Sequence, residues 1–447
     1  FQAEDGIRDP LWSRGLGDVY KRQKEIYGEI FTPFNLVDKM CNLLPKTVWT
    51  DPSLTWLDPG CGPGPFSIQI YLRLFRSRKC HNAKHIIQHM LHMAEINPKH
   101  IQLMYDMFKP QPNMYEGDYL SWNTTKQFNI IIGNPPFNRH GLIKTPTSTL
   151  DKRQDGKAIW RDFIRKSLQL LKPGGYLCFI VPSIWMKPDR EGIYSLLTQY
   201  KLHYIQAFSN SETNQYFRGE AQTPTCIFLL EKIPTDNKVQ LWDKCLDSWV
   251  EYMLEVERPI PVFGASVINH FLSKLTKKNR LSVIKSSLPS SKIKLSDDIS
   301  LPYKAIHTCH LNGTTPQLIV KYSDIPCPYL GKKKLVMAHG MYGFPYLDLK
   351  GEYGISNRDK YIIQRETTRE LQRLAQFFST QTALYLFEAT RYRMKYLEKY
   401  IFEMIPDITK IPFFPANIND DVLFKYFKLL PSEILSIQNH SKNYGTL

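Results

Sequence analysis

The sequence predicts an α/β fold, a mostly parallel sheet with helices on both faces, followed by a second domain of α+β type. Three observations carry this. From Trp56 on, short apolar runs alternate with longer amphipathic ones. The first apolar run breaks directly into a glycine-rich turn. Around residue 235 the alternation stops, at the polar, proline-containing stretch "EKIPTDNKVQ". Strands that alternate with helices build parallel sheets covered on both faces.

The elements follow in order. "LTWLDPGCG" reads as a strand ending in glycines, and "PFSIQIYLRLFRSR" as a helix with Phe66, Ile70 and Leu74 on its apolar face. "MLHMAEI" is a second strand, and a third is expected just before "EGDYLSW". "FNIIIGNPPF" is a strand that stops at its prolines. "AIWRDFIRKSLQLLKPGG" is a helix facing inward through Trp160, Phe163, Ile164, Leu168 and Leu171, stopped by proline and glycine. "YLCFIVPS" and "TCIFLLEK" complete the apolar strands. Beyond residue 235 come short strands, basic loops and one long helical region from about Arg365 to Glu403.

The chain has 447 residues, with 58 Lys and Arg against 42 Asp and Glu, a net charge of +16. That excess suits a partner rich in phosphate, and no basic amphipathic segment points to a membrane instead. No apolar run is long enough to span a bilayer. The eight cysteines include no C-x-x-C pair, which suits reduced thiols in a cytoplasmic protein. "FQAEDGIRDPLWSRGLGDVYKRQ", residues 1–23, resembles the translation of a sequencing adapter. It is set aside, and the natural start is expected to lie upstream of Lys24. The expected domains are then 24–235 and 236–447.

Four signals fall at the ends of successive strands. Asp58 is followed by Gly60, Gly62 and Gly64, which allow a tight turn and close backbone approach to a ligand. The turn lacks the G-K-[ST] ending of a Walker loop. Glu95 ends the second strand, where a carboxylate accepts both hydroxyls of a ribose, and Asp118 follows the third, able to accept from an exocyclic amine. Each acid alone would be an ordinary surface group. The fourth signal is "NIIIGNPPF". The amide oxygen of Asn134 and the carbonyl of Pro135 are two acceptors, and consecutive prolines at 135 and 136 hold them in one direction. They match the two donors of an exocyclic NH₂, and Phe137 offers a face on which a planar base stacks. Read without its neighbours, the segment is a strand end, an asparagine cap and a proline turn.

With these residues in order, the chain resembles S-adenosylmethionine-dependent DNA adenine-N6 methyltransferases of restriction-modification type, with a Rossmann-like catalytic domain. "GEIFTPFNLVDKM" is similar to the cofactor motif that precedes the glycine-rich loop in that family, and "LKPGGYLCFIVPS" and "YFRGEAQTPTCIFLLEK" to its later motifs. The specific resemblance covers Tyr27 to Lys232; more loosely, "YLEKYIFEMIPDITKIPF" resembles the end of a target-recognition domain. It implies S-adenosylmethionine held by Thr32, Asp58, Gly60, Glu95, Ile96 and Asp118. It implies a flipped adenine held by Asn134, Pro135 and Phe137, with Phe217 as a second ring on the base. The basic stretch Arg139–Lys157 resembles a loop that closes over substrate. The chain departs from the family at Pro63 and Pro65 in the glycine turn, and at Phe137, where tyrosine is commoner.

The implied partner is double-stranded DNA, with a restriction endonuclease as a possible companion, a monomeric state and a prokaryotic or viral cytoplasm. Other NH₂ targets stay open: RNA adenine, cytosine N4 or a protein glutamine. No metal is expected. The histidines at 81, 85, 89 and 92 run straight into a strand, and "HTCH" (His307, Cys309, His310) is too short a signal for zinc. Cys61 and Cys178 are expected in the core.

Overall fold

The computed structural model describes residues 31–77, 79–138, 158–219, 221, 223–256, 258–286, 292–312, 315–338, 345–355, 360–392 and 397–442. The adapter-like segment and the loop Arg139–Lys157 lie outside the described residues. The chain divides into two compact units, one running to Pro182 and resuming at Leu196–Asp236, the other taking Ser183–Ser195 and everything from Asn237 on.

In the first unit α1 (Phe34–Leu43) precedes β1 (Trp56–Pro59) and α2 (Pro65–Arg76). Then come β2 (Leu91–Glu95), α3 (Pro98–Met107), β3 (Asn113–Glu116) and β4 (Phe128–Gly133). After α4 (Trp160–Leu170) follow β5 (Leu171–Pro182), β6 (Tyr200–Phe208), α5 (Asn210–Tyr216) and β7 (Thr225–Pro234). Within this unit the strands are ordered β3-β2-β1-β4-β5-β7-β6. β1 to β5 pair in parallel, while β7 runs antiparallel to both β5 and β6. Burial explains why these segments are strands: all four residues of β1 and all five of β2 are buried, as expected of strands covered on both faces. The apolar faces of the helices are buried as the periodicity predicts, except that Leu171, expected on the helix before it, is the first residue of β5. Phe66, Ile70 and Leu74 of α2 and Phe163, Ile164 and Leu168 of α4 are buried.

The chain reverses its direction of sheet-building at β1, which has β2 on one side and β4 on the other (Trp56 against Leu91 and Ile130). Ligands of open α/β sheets bind in the crevice at such a switch point, outside the carboxyl ends of the strands.

The second unit holds a hairpin, β8 (Lys238–Asp243) with β9 (Ser248–Met253), and α6 (Ala265–Ser273). Its remaining strands are β10 (Ile284–Lys285), β11 (Tyr303–Asn312), β12 (Thr315–Ser323), β13 (Lys334–Ala338), β14 (Pro345–Asp348), β15 (Gly354–Ile355) and β16 (Lys360–Ile363). They form two small sheets, β10-β16-β13-β14 and β12-β11-β15. The helices α7 (Thr368–Phe378), α8 (Gln381–Ala389), α9 (Asp420–Phe427) and α10 (Pro431–Lys442) follow.

Two expectations change. The helical region from Arg365 to Glu403 is not one helix: α7 ends at Phe378, and Thr380 caps a new helix by accepting from Ala383 N. Two hydroxyl residues, Ser379 and Thr380, offer the backbone local hydrogen bonds that compete with continuing the helix. Ser183–Ser195 also belongs with the second unit rather than the first. There Lys187 pairs with Glu398 at 2.5 Å, and Met186 O accepts from Ile260 N.

Candidate active site

The glycine-rich turn after β1 is tied down by its own backbone. Gly60 N and Cys61 N donate to Ala94 O, at 2.8 and 3.0 Å, and Gly62 N donates to Glu95 Oε2 at 2.7 Å. Gly64 has φ +86 as the residue before Pro65, which opens α2. A Cβ there would lie 2.7 Å from Met104 Sδ, so both backbone and packing call for glycine. Proline suits the first helical position, because its missing N–H has no partner there anyway.

Asp58, at the end of β1, is 1% exposed. Ser67 Oγ, on the first turns of α2, donates to its Oδ2 at 2.7 Å. Its Oδ1 is buried and meets no hydrogen-bond partner. Burial pushes the Asp58 carboxyl up to about 7, opposed by the Ser67 bond and reinforced by the charge of Glu95. Gly133, ending β4, makes room beside it; a Cβ there would stand 3.3 Å from Asp58 Oδ1.

Glu95 is a backbone hub. Besides Gly62 N, its Oε1 accepts from Ile96 N and Asn97 N at 2.9 and 2.8 Å, and its carbonyl accepts from Gly117 N at 2.7 Å. The turns after β1, β2 and β3 therefore converge on one residue. A carboxylate offers about four lone-pair sites. Three are taken by the amides of Gly62, Ile96 and Asn97, a commitment to the backbone that the sequence did not show. Ile96 beside it leaves 49% of its surface exposed. Asp118 Oδ1 accepts from Leu120 N at 2.9 Å, capping the turn Tyr119–Ser121.

Beyond β4, Asn134 donates through Nδ2 to Thr32 Oγ1 at 3.0 Å. Thr32 is 3% exposed. The Oδ1 of Asn134 is buried and meets no partner. Thr32 thus reaches the asparagine amide, a contact the sequence reading did not foresee when it placed Thr32 against the cofactor. Pro136 adjoins the glycine turn: a Cβ on Gly60 would lie 3.8 Å from its Cδ. Phe137 is half-buried, and its carbonyl accepts from Ile159 N at 3.0 Å. Asn138 and Ala158 form an antiparallel bridge. Phe217, 2% exposed, belongs to the same apolar cluster as Phe137.

Asp58, Gly60, Glu95, Asp118 and Asn134 therefore all stand at the carboxyl edge of the sheet, after the neighbouring strands β3, β2, β1 and β4. Sequence reasoning missed Ser67 and Gly133; a serine in a buried helical position was the one signal for the first.

The residues fit S-adenosylmethionine by their chemistry. Asp58 Oδ1 is a buried acceptor lacking a donor, the sort of group that an ammonium satisfies. Glu95 retains a site for a hydroxyl, and the exposed Ile96 offers an apolar face to a base. Among the described residues no group of three or more His, Cys, Asp or Glu is placed to hold a metal ion. His81 Nδ1 lies 2.7 Å from Phe75 O and His85 Nε2 lies 2.8 Å from Pro52 O. The side chains of Cys309 and His310 are outside the described residues. Cys61 and Cys178 are buried in the core, where desolvation pushes both thiols up.

The sequence model of the Eco57I restriction-modification methylase family matches residues 62–214. The type II methyltransferase M.TthHB8I of Thermus thermophilus is 28% identical over 179 residues, 37% of this chain and 35% of that protein. The type II restriction enzyme and methyltransferase RM.Eco57I of Escherichia coli is 31% identical over 123 residues, 26% of this chain and 12% of that protein. The tRNA1(Val) (adenine(37)-N6)-methyltransferase of Glaesserella parasuis is 26% identical over 130 residues, 28% of this chain and 50% of that protein. The chain spans half or less of the length of each of these relatives. Among solved structures, the M protein of the type I restriction enzyme EcoKI is similar with a TM-score of 0.37 at 17% identity, over 48% of each chain. The matched stretch, which carries Glu95, Asp118 and the Asn134 turn, is similar to the Eco57I restriction-modification methylase family.

Proposed function

We propose that this chain is a site-specific DNA methyltransferase that transfers a methyl group from S-adenosylmethionine to N6 of an adenine taken out of the duplex. In this reading residues 24–235, apart from Ser183–Ser195, are the catalytic domain, and 236–447 recognise the DNA target. The observation that carries it is the amide of Asn134. Its nitrogen is held by Thr32 and its oxygen is left buried, unpartnered and fixed at the sheet's switch point.

S-adenosylmethionine supplies a methyl group that is already electrophilic on its sulfonium sulfur. The residues of the chain have mainly to position the two reactants. Asp58 receives the cofactor's ammonium, Glu95 one ribose hydroxyl, Asp118 and Ile96 the base, and Gly60 keeps the backbone low enough for all of them. An adenine in a duplex hides its N6, so it must leave the stack. Phe137 then stacks on it, with Phe217 behind in the same cluster. Asn134 Oδ1 and the Pro135 carbonyl accept the two N6 hydrogens. That draws the nitrogen toward tetrahedral geometry and frees its lone pair for in-line attack on the methyl carbon; the carbon–sulfur bond breaks as the carbon–nitrogen bond forms, and one N6 proton is released to solvent.

RM.Eco57I is described as both restriction enzyme and methyltransferase. A nuclease, fused or separate, is therefore a natural companion for this chain, which we take to act as a monomer in a prokaryotic cytoplasm. The tRNA methyltransferase relative supports a second reading, adenine methylation in RNA. Both are tested by incubating the chain with labelled S-adenosylmethionine and either duplex DNA or RNA, then digesting to nucleosides for mass spectrometry. N6-methyladenine in DNA is expected. Label in RNA, in N4-methylcytosine or in protein would overturn the DNA-adenine assignment.

A further inference from the structure

We infer that Phe413 is a stacking wedge through which the second unit engages the bases of a duplex, with the cations of the adjoining turn gripping the phosphates beside it. The inference rests on the DNA reading and adds to it a residue that no part of the methyl-transfer site requires.

Phe413 is fully exposed, at 103%, the highest value among the exposed large apolar residues described. Its φ is +56, a left-handed conformation that crowds the Cβ of a phenylalanine. Such outliers persist only where their surroundings enforce them. Here the surroundings do. Phe414 is buried, with ring centroids 4.5 Å from Tyr426 and 6.3 Å from Phe427, and its N–H donates to Ile411 O. Arg373 Nη2 donates to both Phe414 O and Pro415 O, each at 3.0 Å, and its guanidinium lies over the Phe414 ring. Pro412 fixes the residue before. The segment from Ile411 to Pro415 is thus clamped on both sides of Phe413, and the one ring it displays points away from the core.

The turn just before it is basic. Ile408–Lys410 is joined to the turn Lys277–Asn279 through Asp407 N donating to Asn279 O at 2.6 Å, and Arg280 bridges to Pro406. Lys277, Lys278, Arg280 and Lys410 are exposed. The carboxylate at this junction, Asp407, is wholly buried; its Oδ2 pairs with Arg365 at 2.5 Å and more loosely with Lys410 at 3.9 Å. Among the described residues no carboxylate pairs with Lys277, Lys278 or Arg280. A single rigid aromatic among cations suits a duplex, where apolar wedges enter between base steps and Lys or Arg meet the phosphates. A protein partner would ask for a contiguous apolar patch instead.

The test uses the full chain and a duplex containing the sequence that it methylates, with affinity read by fluorescence anisotropy at several salt concentrations. Phe413→Ala should weaken binding about tenfold, within the range for losing one stacked ring. Phe413→Trp should bind like the unsubstituted chain, because it keeps a π-face. Lys277→Ala, Lys278→Ala and Lys410→Ala should each lower the salt slope by about one. Phe413→Ala should keep its affinity for S-adenosylmethionine in calorimetry, which separates a lost contact from a lost fold. If the unsubstituted chain neither binds nor methylates the duplex, the DNA reading itself falls, and the wedge with it. If it does both and Phe413→Ala binds the duplex equally well, the wedge alone is overturned. A change confined to the solution mass of the chain would make Phe413 a self-association contact and likewise overturn it.

Discussion

Thr32 Oγ1 accepts a hydrogen bond from Asn134 Nδ2 at 3.0 Å, joining residues 102 positions apart. An amide turned by half a revolution would present donors where acceptors are needed, and with Nδ2 on Thr32 the oxygen is the end left to meet the substrate. Thr32→Val removes the acceptor while keeping the shape. It should lower kcat about three- to tenfold, the worth of an ordinary hydrogen bond, with little change in affinity for S-adenosylmethionine. Thr32→Ser should restore most of the rate. A loss of cofactor affinity with kcat intact, seen in single-turnover assays and calorimetry, would return Thr32 to the cofactor.

Asp58 sets an expected pH dependence. Its carboxyl is raised from 3.8 to about 7 by burial. Between those values the folded chain holds a proton that the unfolded chain releases, so the contribution of this group to stability falls as pH rises through the window. A cationic ligand favours the ionised form. Cofactor affinity should therefore rise about fivefold from pH 6 to pH 7 and level off above about pH 8. Calorimetry on Asp58→Asn should show weaker binding with that slope gone.

Glu95 joins three amides of two turns. Glu95→Ala leaves Gly62, Ile96 and Asn97 without their acceptor, and should cost about 2–4 kcal/mol in denaturant unfolding as well as cofactor binding. Glu95→Gln should lose less, because it retains an acceptor for Ile96 and Asn97. It should not regain full cofactor affinity, since its NH₂ would face the Gly62 N–H.

Gly64→Ala should destabilise by about 1–2 kcal/mol. The φ of +86 is unfavourable for alanine, while the clash at 2.7 Å is with the flexible end of Met104, which can shift. A variant as stable as the parent in thermal unfolding would show that the turn accommodates a side chain.

Much of this site was legible because each strand announces its own end. Apolar runs stop at Asp58, Glu95 and Gly133, and a parallel sheet delivers those ends to one edge. What was not legible depends on distant partners. Nothing near Thr32 in sequence indicates Asn134, nothing near Ser67 indicates the carboxylate of Asp58, and a glutamate's spacing does not say how many backbone amides will claim it. The same holds for the larger elements. Ser183–Ser195 looks like a continuation of the first domain until Lys187 meets Glu398, 211 residues away.

Asn134 and Phe137 separate chemistry from binding. The bond from Asn134 Oδ1 to the N6 hydrogens matters most as the nitrogen changes geometry, so its loss falls on the transition state. Asn134→Ala should lower kcat about 10²–10³-fold, comparable to removing one preorganised dipole from other active sites, while DNA and cofactor affinity change little. Phe137 acts on the base whether or not methyl transfer is under way. Phe137→Ala should weaken retention of the extruded base by about 1–3 kcal/mol, and Phe137→Trp should be tolerated better because it keeps a stacking face. A duplex with 2-aminopurine at the target position reports the base's position, and single-turnover methyl transfer reports the chemistry. If Asn134→Ala retained near-normal turnover, the amide would not be acting on N6. If the fluorescence of the extruded base were identical in Phe137→Ala, the ring would not be holding it.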